Sequence, residues 1–519
     1  MLQVGAAAHA GTDRAAVAES RTGLAVVAWS AVASAVFYTI VQTKLFAESI
    51  THYVRAGASA VTGIDVGLSL ALVGIGHLVG VTVGVAMLAG IVLAWGVLVP
   101  VLSALHAPNP NTAALAIDVF RHQVRFAGAG AIGVAALWSI GRLAGPVVGG
   151  VISSLAASRA RGDDPEDTRP LTERDIPFPT VVGVSALCMV PIAVLLVAFL
   201  NGTALGGATL PLVLGALVYI VLAGIIVAAV CGYMAGLIGS SNSPVSGLAI
   251  LTVLGAALLL VGVAHPGDQL AQKALVAYAL FVTAIIINIA TISNDNLQDL
   301  KTGQLVHATP WKQQAALVVG VIFGALVIPP ILNVLNTAFG FLGSPIHGIS
   351  AQPLAAPQAT LISALATGVI TGQLPWTLIA LGAGIGAAIV LIDELLRRTG
   401  ALRFPPLAVA LGIYLPMSVT FMVVVGAFLG AAYNRAVATK PNADAAKRLG
   451  ILLASGLIVG ESLMGVVYSG VIAASRRDEP LAFPFIGDAF ATPSELIGLV
   501  VFVALVAYLY RWTARAART

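Results

Sequence analysis

Glu461 is the most isolated acid of the chain: it stands in Ala454-Ser-Gly-Leu-Ile-Val-Gly-Glu-Ser-Leu-Met-Gly465, with no other charge between Arg448 and Arg476. An unpaired carboxylate inside an apolar segment is expensive even on the most lenient insertion scale. On a helix, Leu457, Glu461, Gly465 and Tyr468 share a face, which turns the carboxyl into a bundle and places Tyr468 within reach as a partner. A carboxyl so placed is suited to take up and release a proton. A structural hydrogen bond to a neighbouring helix is the other reading.

A second polar group is Thr291-Ile-Ser-Asn-Asp-Asn-Leu-Gln-Asp-Leu-Lys-Thr-Gly-Gln304, where Asn288, Thr291, Asp295, Gln298 and Thr302 fall on one stripe if the preceding helix continues. Asp295 and Asp299 are four apart, with Lys301 available as a partner. In a partly dry site such a pair can accept a proton; a solvated loop with a capped helix end explains the same composition. Asp393-Glu394 is read as interfacial.

The third is Gly236-Leu-Ile-Gly-Ser-Ser-Asn-Ser-Pro-Val-Ser-Gly247, a break without a single charge between two apolar runs. Ser240, Ser241, Asn242, Ser243 and Ser246 are neutral donors and acceptors, and Pro244 can open a helix whose free amides favour a carboxylate. The same residues make a good extramembrane turn.

Other chemistries find little support. None of the eight histidines pairs with another or with an acid at metal-ligand spacing, and His77 is read as a satisfied buried side chain. Cys188 and Cys231 each sit in an apolar run as small hydrophobes. There is no phosphate-binding Gly-rich loop with its lysine. No cofactor, no resident metal and no nucleic-acid partner is expected, nor an enzyme.

The elements that must position these groups follow from composition. Of 519 residues, 59% are hydrophobic and 9% charged, against about 25% charged in soluble domains, and the mean hydropathy is +0.99. The surface of this chain faces lipid. Candidate spans are 23–41, 66–83, 84–105, 126–150, 179–200, 207–231, 247–264, 273–292, 314–335, 375–392, 447–474 and 494–512, with shorter or broken stretches at 355–372 and 405–431. The fold expected is all-α, a polytopic transmembrane bundle of about twelve spans with broken or re-entrant segments. Residues 1–22 are a polar N-terminal segment without the apolar core of a signal peptide. A charge-balanced loop occupies 153–179, and 513–519 form a basic tail.

Arg511, Arg515 and Arg518 place the C-terminus in the cytoplasm by the positive-inside bias. The same bias strains at 394–404 and 435–448, both basic and separated by one apolar stretch. Pro405-Pro406 and Tyr414-Leu415-Pro416 suggest a helix–break–helix hairpin there that returns to its own side, against the simpler reading of a Pro-kinked span. Small residues at four-residue spacing, among them Gly76/Gly80/Gly84, Gly320/Gly324, Gly426/Gly430 and Gly456/Gly460, predict close helix crossings.

The run Asn294-Asp-Asn-Leu-Gln-Asp-Leu-Lys-Thr-Gly-Gln-Leu-Val-His-Ala-Thr-Pro-Trp-Lys-Gln-Gln314 resembles the oligopeptide transporter family, which includes the yellow-stripe-like branch. Gly239-Ser-Ser-Asn-Ser-Pro-Val-Ser-Gly247, Asp393-Glu-Leu-Leu-Arg-Arg398 with Gly412-Ile-Tyr-Leu-Pro416, and Ala454-Ser-Gly-Leu-Ile-Val-Gly-Glu461 support it. The resemblance implies proton-coupled uptake of small peptides or metal–chelate complexes through an all-helical bacterial plasma-membrane protein. Leu2-Gln-Val-Gly5 resembles a point well inside the first half of family members, so several helices of that half are expected to be absent. His307 stands where the family motif leads us to expect glycine.

The combined expectation is a symporter with protons, substrate and bilayer as partners and room for homo-oligomerisation. Ser240, Ser241, Asn242, Ser243, Pro244, Asn294, Asn296, Gln298 and Tyr414 would hold the substrate. Glu461, Asp295 and Asp299 would carry protons. A metal–chelate importer is the alternative in the same class, and a channel or non-transporting scaffold the alternative outside it.

Overall fold

In the computed structural model the described residues are 14–516, apart from 57–58, 108, 161–169, 240–242, 244, 342–347, 351–355, 401–402, 485 and 487–489. Side chains are also left undescribed at 14–20, at several positions in 140–151 and throughout 152–160. Apolar runs of this length leave the backbone no partners but its own, so the chain folds as helices. These are α1 (Arg14–Gln42), α2 (Leu70–Val79), α3 (Val81–Ala104), α4 (Thr112–Val119), α5 (Arg125–Ala160), α6 (Phe178–Leu200), α7 (Thr209–Ile238) and α8 (Val245–Ala264). They continue as α9 (Gln269–Leu305), α10 (Pro310–Phe339), α11 (Pro357–Thr371), α12 (Trp376–Arg398), α13 (Pro406–Tyr414), α14 (Met417–Ala438), α15 (Ala443–Ser475) and α16 (Ala491–Ala516).

Among the described residues 11 helices are long and apolar enough to cross a bilayer. The chain is a multi-pass membrane protein. On α10, Phe323 and Leu326 are 67% and 70% exposed, a surface that only lipid makes inexpensive.

Three packed clusters organise the bundle. One joins α6–α9 with α11; one joins α3, α4 and the start of α5 to α12–α14; one joins α1, α2 and α14–α16. A smaller cluster around Ile132, Ile250, Leu361 and Tyr414 links the first two.

The structure corrects several boundaries. The stretch 66–83 is no span. Its first residues end an antiparallel hairpin of β1 (Ser49–Arg55) and β2 (Val61–Gly67), with Thr51 opposite Asp65 and Tyr53 opposite Gly63. The remainder is the 10-residue half-helix α2, about 15 Å long, and the chain breaks at Gly80, whose φ of 87° glycine adopts at no steric cost. Helix α5 runs to Ala160, through the first residues of the expected loop. The returning hairpin at 405–431 is also corrected. Leu415-Pro416 does break the helix, but α13 packs on α3 and α5 while α14 packs on α2, α3 and β2. The two pieces do not lie against each other, so they form one discontinuous segment.

The small-residue pairs explain how the two broken segments meet. A methyl on Gly76 would overlap Val423 O, and one on Gly426 would overlap Val73 O; Gly90 and Gly412 fit in the same reciprocal way against Val409 O and Met87 O. Gly456 and Gly460 let α1 approach α15 at Val27, Ser30 and Ala31. Gly320 and Gly324 face no neighbouring helix, so their spacing carries no packing role here.

His307 occupies the position after the end of α9 with φ 58°. There Ala308 N–H donates to Gly303 O at 2.9 Å, closing the helix in the left-handed manner that glycine serves best. A side chain in that conformation costs about 1–2 kcal/mol. Replacing His307→Gly is expected to raise the thermal unfolding midpoint of the detergent-solubilised protein; a lower midpoint contradicts this account of the cap.

Candidate functional site

Glu461 lies near the middle of the 33-residue helix α15. Its Oε1 accepts from Ser69 Oγ at 2.5 Å and its Oε2 from Ala71 N–H at 2.9 Å. Ser69 is the N-cap of α2 and accepts from Leu72 N–H at 3.1 Å while donating to the carboxylate. A half-helix that begins inside the bundle has amides without intrahelical acceptors, and the carboxylate supplies one while balancing the positive helix end. Among the described residues no basic group lies within ion-pair distance of Glu461. The partner anticipated from sequence, Tyr468, instead packs edge-on against Tyr38 with ring centroids 6.3 Å apart.

The other end of α2 is also held. His77, in its last turn, is 6% exposed. Its Nδ1 is 2.9 Å from Tyr510 Oη, and its ring stacks on Tyr510 at 5.6 Å and lies 5.9 Å from Tyr433. Nε2 has no partner, so His77 is only half satisfied. Gly430 and Gly450 leave the room this ring fills.

The break before α14 has its own neighbours. Tyr414 closes α13, 2% exposed; its hydroxyl accepts from Arg125 Nη2 at 2.8 Å, and the guanidinium lies 4.8 Å from the ring centre. On β2, Asp65 N–H points at Met417 Sδ, 3.2 Å away, at the first residue of α14. Ahead of the break, buried Asp393 accepts from Arg403 Nε and Nη2 at 3.2 and 3.1 Å and from Phe404 N–H at 2.9 Å. This fixes the turn that delivers Pro405-Pro406 to α13. Glu394 faces outward to Arg397 and Arg398.

The remaining candidates are not gathered at Glu461. Helix α9 does continue past the expected end, so the stripe exists, but Asn288, Thr291, Asp295, Gln298 and Asp299 are exposed and Asn296 half-buried. Lys301 donates to Gln304 Oε1 at 2.9 Å, so the hydrogen bond expected of it goes to an amide instead of the Asp295/Asp299 pair. Asn294 faces the other way, 6% exposed, and its Oδ1 is without a partner. Ser240, Ser241, Asn242 and Pro244 lie outside the described residues; Ser243 stands near Cys231, between Gly239, where α7 ends at φ 89°, and α8. Among the described residues no three His, Cys, Asp or Glu converge as metal ligands.

Sequence reasoning passed over Ser69, Asp65 and Arg125. The first is a hydroxyl before an apolar run and so a legible cap. The other two needed the tertiary arrangement.

The family profile described as OPT oligopeptide transporter protein matches residues 18–472. The chain is 38% identical over 486 residues to a Haemophilus influenzae protein whose name proposes an oligopeptide transporter, covering 89% of this chain and 76% of that protein. Two Arabidopsis thaliana proteins whose names propose metal-nicotianamine transporters are 28% and 30% identical over 216 residues. Each match spans 40% of this chain and 29% and 28% of the two relatives.

Removing the fork that covers Asp393, by Arg403→Ala, is expected to lower stability by about 1–3 kcal/mol and to open residues 403–406 to proteolysis. Unchanged melting and cleavage would mean that the Asp393 clamp does not fix this turn.

Proposed function

The chain belongs to the oligopeptide transporter family, and on that premise we propose that it is a proton-coupled symporter of small peptides. The observation that carries this reading is the clasp between Glu461 and the first turn of α2. A charged Glu461 accepts from Ser69 and Ala71 and pins the half-helix. A protonated Glu461 loses its attraction to the helix end and puts a hydrogen on one oxygen, so that oxygen becomes a poorer acceptor. Protonation therefore favours an arrangement in which α2 is free to move. Coupling requires no more than this difference in proton affinity between two arrangements.

Substrate would be held where the helices break. The uncharged Ser240–Pro244 segment is suited to peptide termini and carboxylates. Asn294, with a buried oxygen lacking a partner, and Tyr414, at the end of α13, supply further polar contacts. Asn296 and Gln298 remain candidates on the same helix as Asn294, and Asp295 and Asp299 remain secondary proton carriers on its exposed face.

Uptake of metal–chelate complexes is the second reading. It is favoured by the likeness to proteins named for metal-nicotianamine transport. A chelator that holds its own metal needs no ligand cluster in the protein.

Reconstituted protein is expected to accumulate short peptides when the outside is acidic. Glu461→Gln is expected to cut gradient-driven accumulation by roughly 5- to 150-fold, the span of ordinary coupling energies, while leaving exchange of internal for external substrate in place. Intact accumulation in the glutamine variant ends the proton-carrier role. Accumulation of nicotianamine complexes in place of peptides selects the second reading. Accumulation of neither removes the transporter proposal.

A further inference from the structure

Strand β2 turns its acid toward the bundle. Val61, Gly63, Asp65 and Gly67 alternate onto one face. That face goes into the bundle, with Val61 fully buried, Gly63 beneath the Tyr53 ring and Gly67 against Ser418 O. Ile64, on the opposite face, is 57% exposed. Thr62 and Val66, on the same face as Ile64, are half-buried, so only Ile64 of that face is open.

The strand is fixed in this register. Val61 N–H donates to Ser103 Oγ at 2.9 Å, and Thr62 Oγ1 donates to Trp95 O at 2.6 Å. Asp65 is thereby held beside Met417 and Ser418, the first two residues of α14 after the Leu415-Pro416 break. Its Oδ1 is sealed from solvent and has no hydrogen-bond partner. Sealing a charged oxygen without a donor is costly, and a neutral carboxyl avoids that cost.

We propose that Asp65 is a second proton-binding carboxyl of the transporter, protonated in the arrangement seen here and set at the break before α14 as Glu461 is set at the start of α2. Three residues separate Asp65 from Ser69, so the two acids act on one short stretch of chain from its two ends. The proposal rests on the proton-coupled reading for its consequence in transport, and on the hairpin geometry alone for the bound proton.

The groups around Asp65 agree with a neutral acid. Burial pushes its carboxyl up from the ordinary aspartate range, and the Ser418 hydroxyl is the neighbour that opposes this. On β1 the titratable groups are Tyr53, against the same inner face, and His52 and Arg55, both exposed. On α4 and the turn after it, Asp118 pairs with His122 at 2.9 Å, and Arg121 acts on Tyr53. Helix α3 presents Trp95 and Ser103, and the start of α14 presents Met417 and Ser418, none of them charged.

Infrared titration of the full chain in liposomes tests the proton directly, without a substrate. A protonated-carboxyl band is expected at a pH where ordinary aspartates are ionised, with a component that is lost in Asp65→Asn and kept in Glu461→Gln. Ser418→Ala, which leaves the hairpin intact, is expected to move the midpoint of that band to higher pH. Identical spectra for wild type and Asp65→Asn, or a midpoint indifferent to Ser418→Ala, overturn the proposal. In proteoliposomes that accumulate substrate, Asp65→Asn is expected to lower the protons moved per substrate by one. An infrared band that behaves as expected in protein that accumulates nothing would leave Asp65 as a proton site and discard the symporter.

Discussion

The first amides of α2 need acceptors, because a helix leaves its first turn without intrahelical partners and Leu70, which opens this one, is fully buried. Glu461 meets that need from the middle of α15. Much of the local architecture follows from this one contact. The half-helix must end after 10 residues at a conformation open to glycine. Gly74 must then let it come close to α15, where a methyl would overlap Ala454 O, for the carboxylate to reach. The His77 ring, gripped by Tyr433 and Tyr510, holds the far end. An apolar residue at 461 would be cheaper to insert but would leave those amides without a partner.

The two broken segments are built alike. In each, a short helix of 10 or 9 residues precedes a longer one, and the short helix of each packs on the long helix of the other through paired glycines. Each segment has an acid beside a serine: Glu461 with Ser69 at the start of α2, and Asp65 with Ser418 at the break before α14. Discontinuous helices whose ends lie inside the bundle are the common means by which secondary transporters make binding sites out of backbone. The uncharged segment between α7 and α8 joins two helices that are each long enough to span and that pack on each other, on the side of the bundle formed by α6–α9.

The spans were legible because about 20 apolar residues in a row admit few other readings. Glu461 was legible because isolation in such a run is itself a signal. Its partners were not: Ser69 lies 392 positions away, and no periodicity reports a contact of that range. The β1–β2 hairpin escaped because each strand has only seven residues, too short for a span and too mixed for a clean alternation. Along α9, the helical period does bring Asn288, Thr291, Asp295 and Gln298 to one face, but periodicity does not say which face is inward. That face is exposed, and the buried one carries Ala290 and Asn294. The break at 405–431 was legible from its prolines, whereas its direction depended on which helices each half packs against.

The central claim is that a proton on Glu461 releases α2. Spin labels at Leu78 on α2 and Val467 on α15, both exposed, in a background lacking Cys188 and Cys231, report the separation of these helices by pulsed electron resonance in liposomes. The account expects one short distance at alkaline pH, a second and longer one on acidification, and the longer one at every pH in Glu461→Gln. A single distance, unmoved by pH and by that substitution, would contradict it.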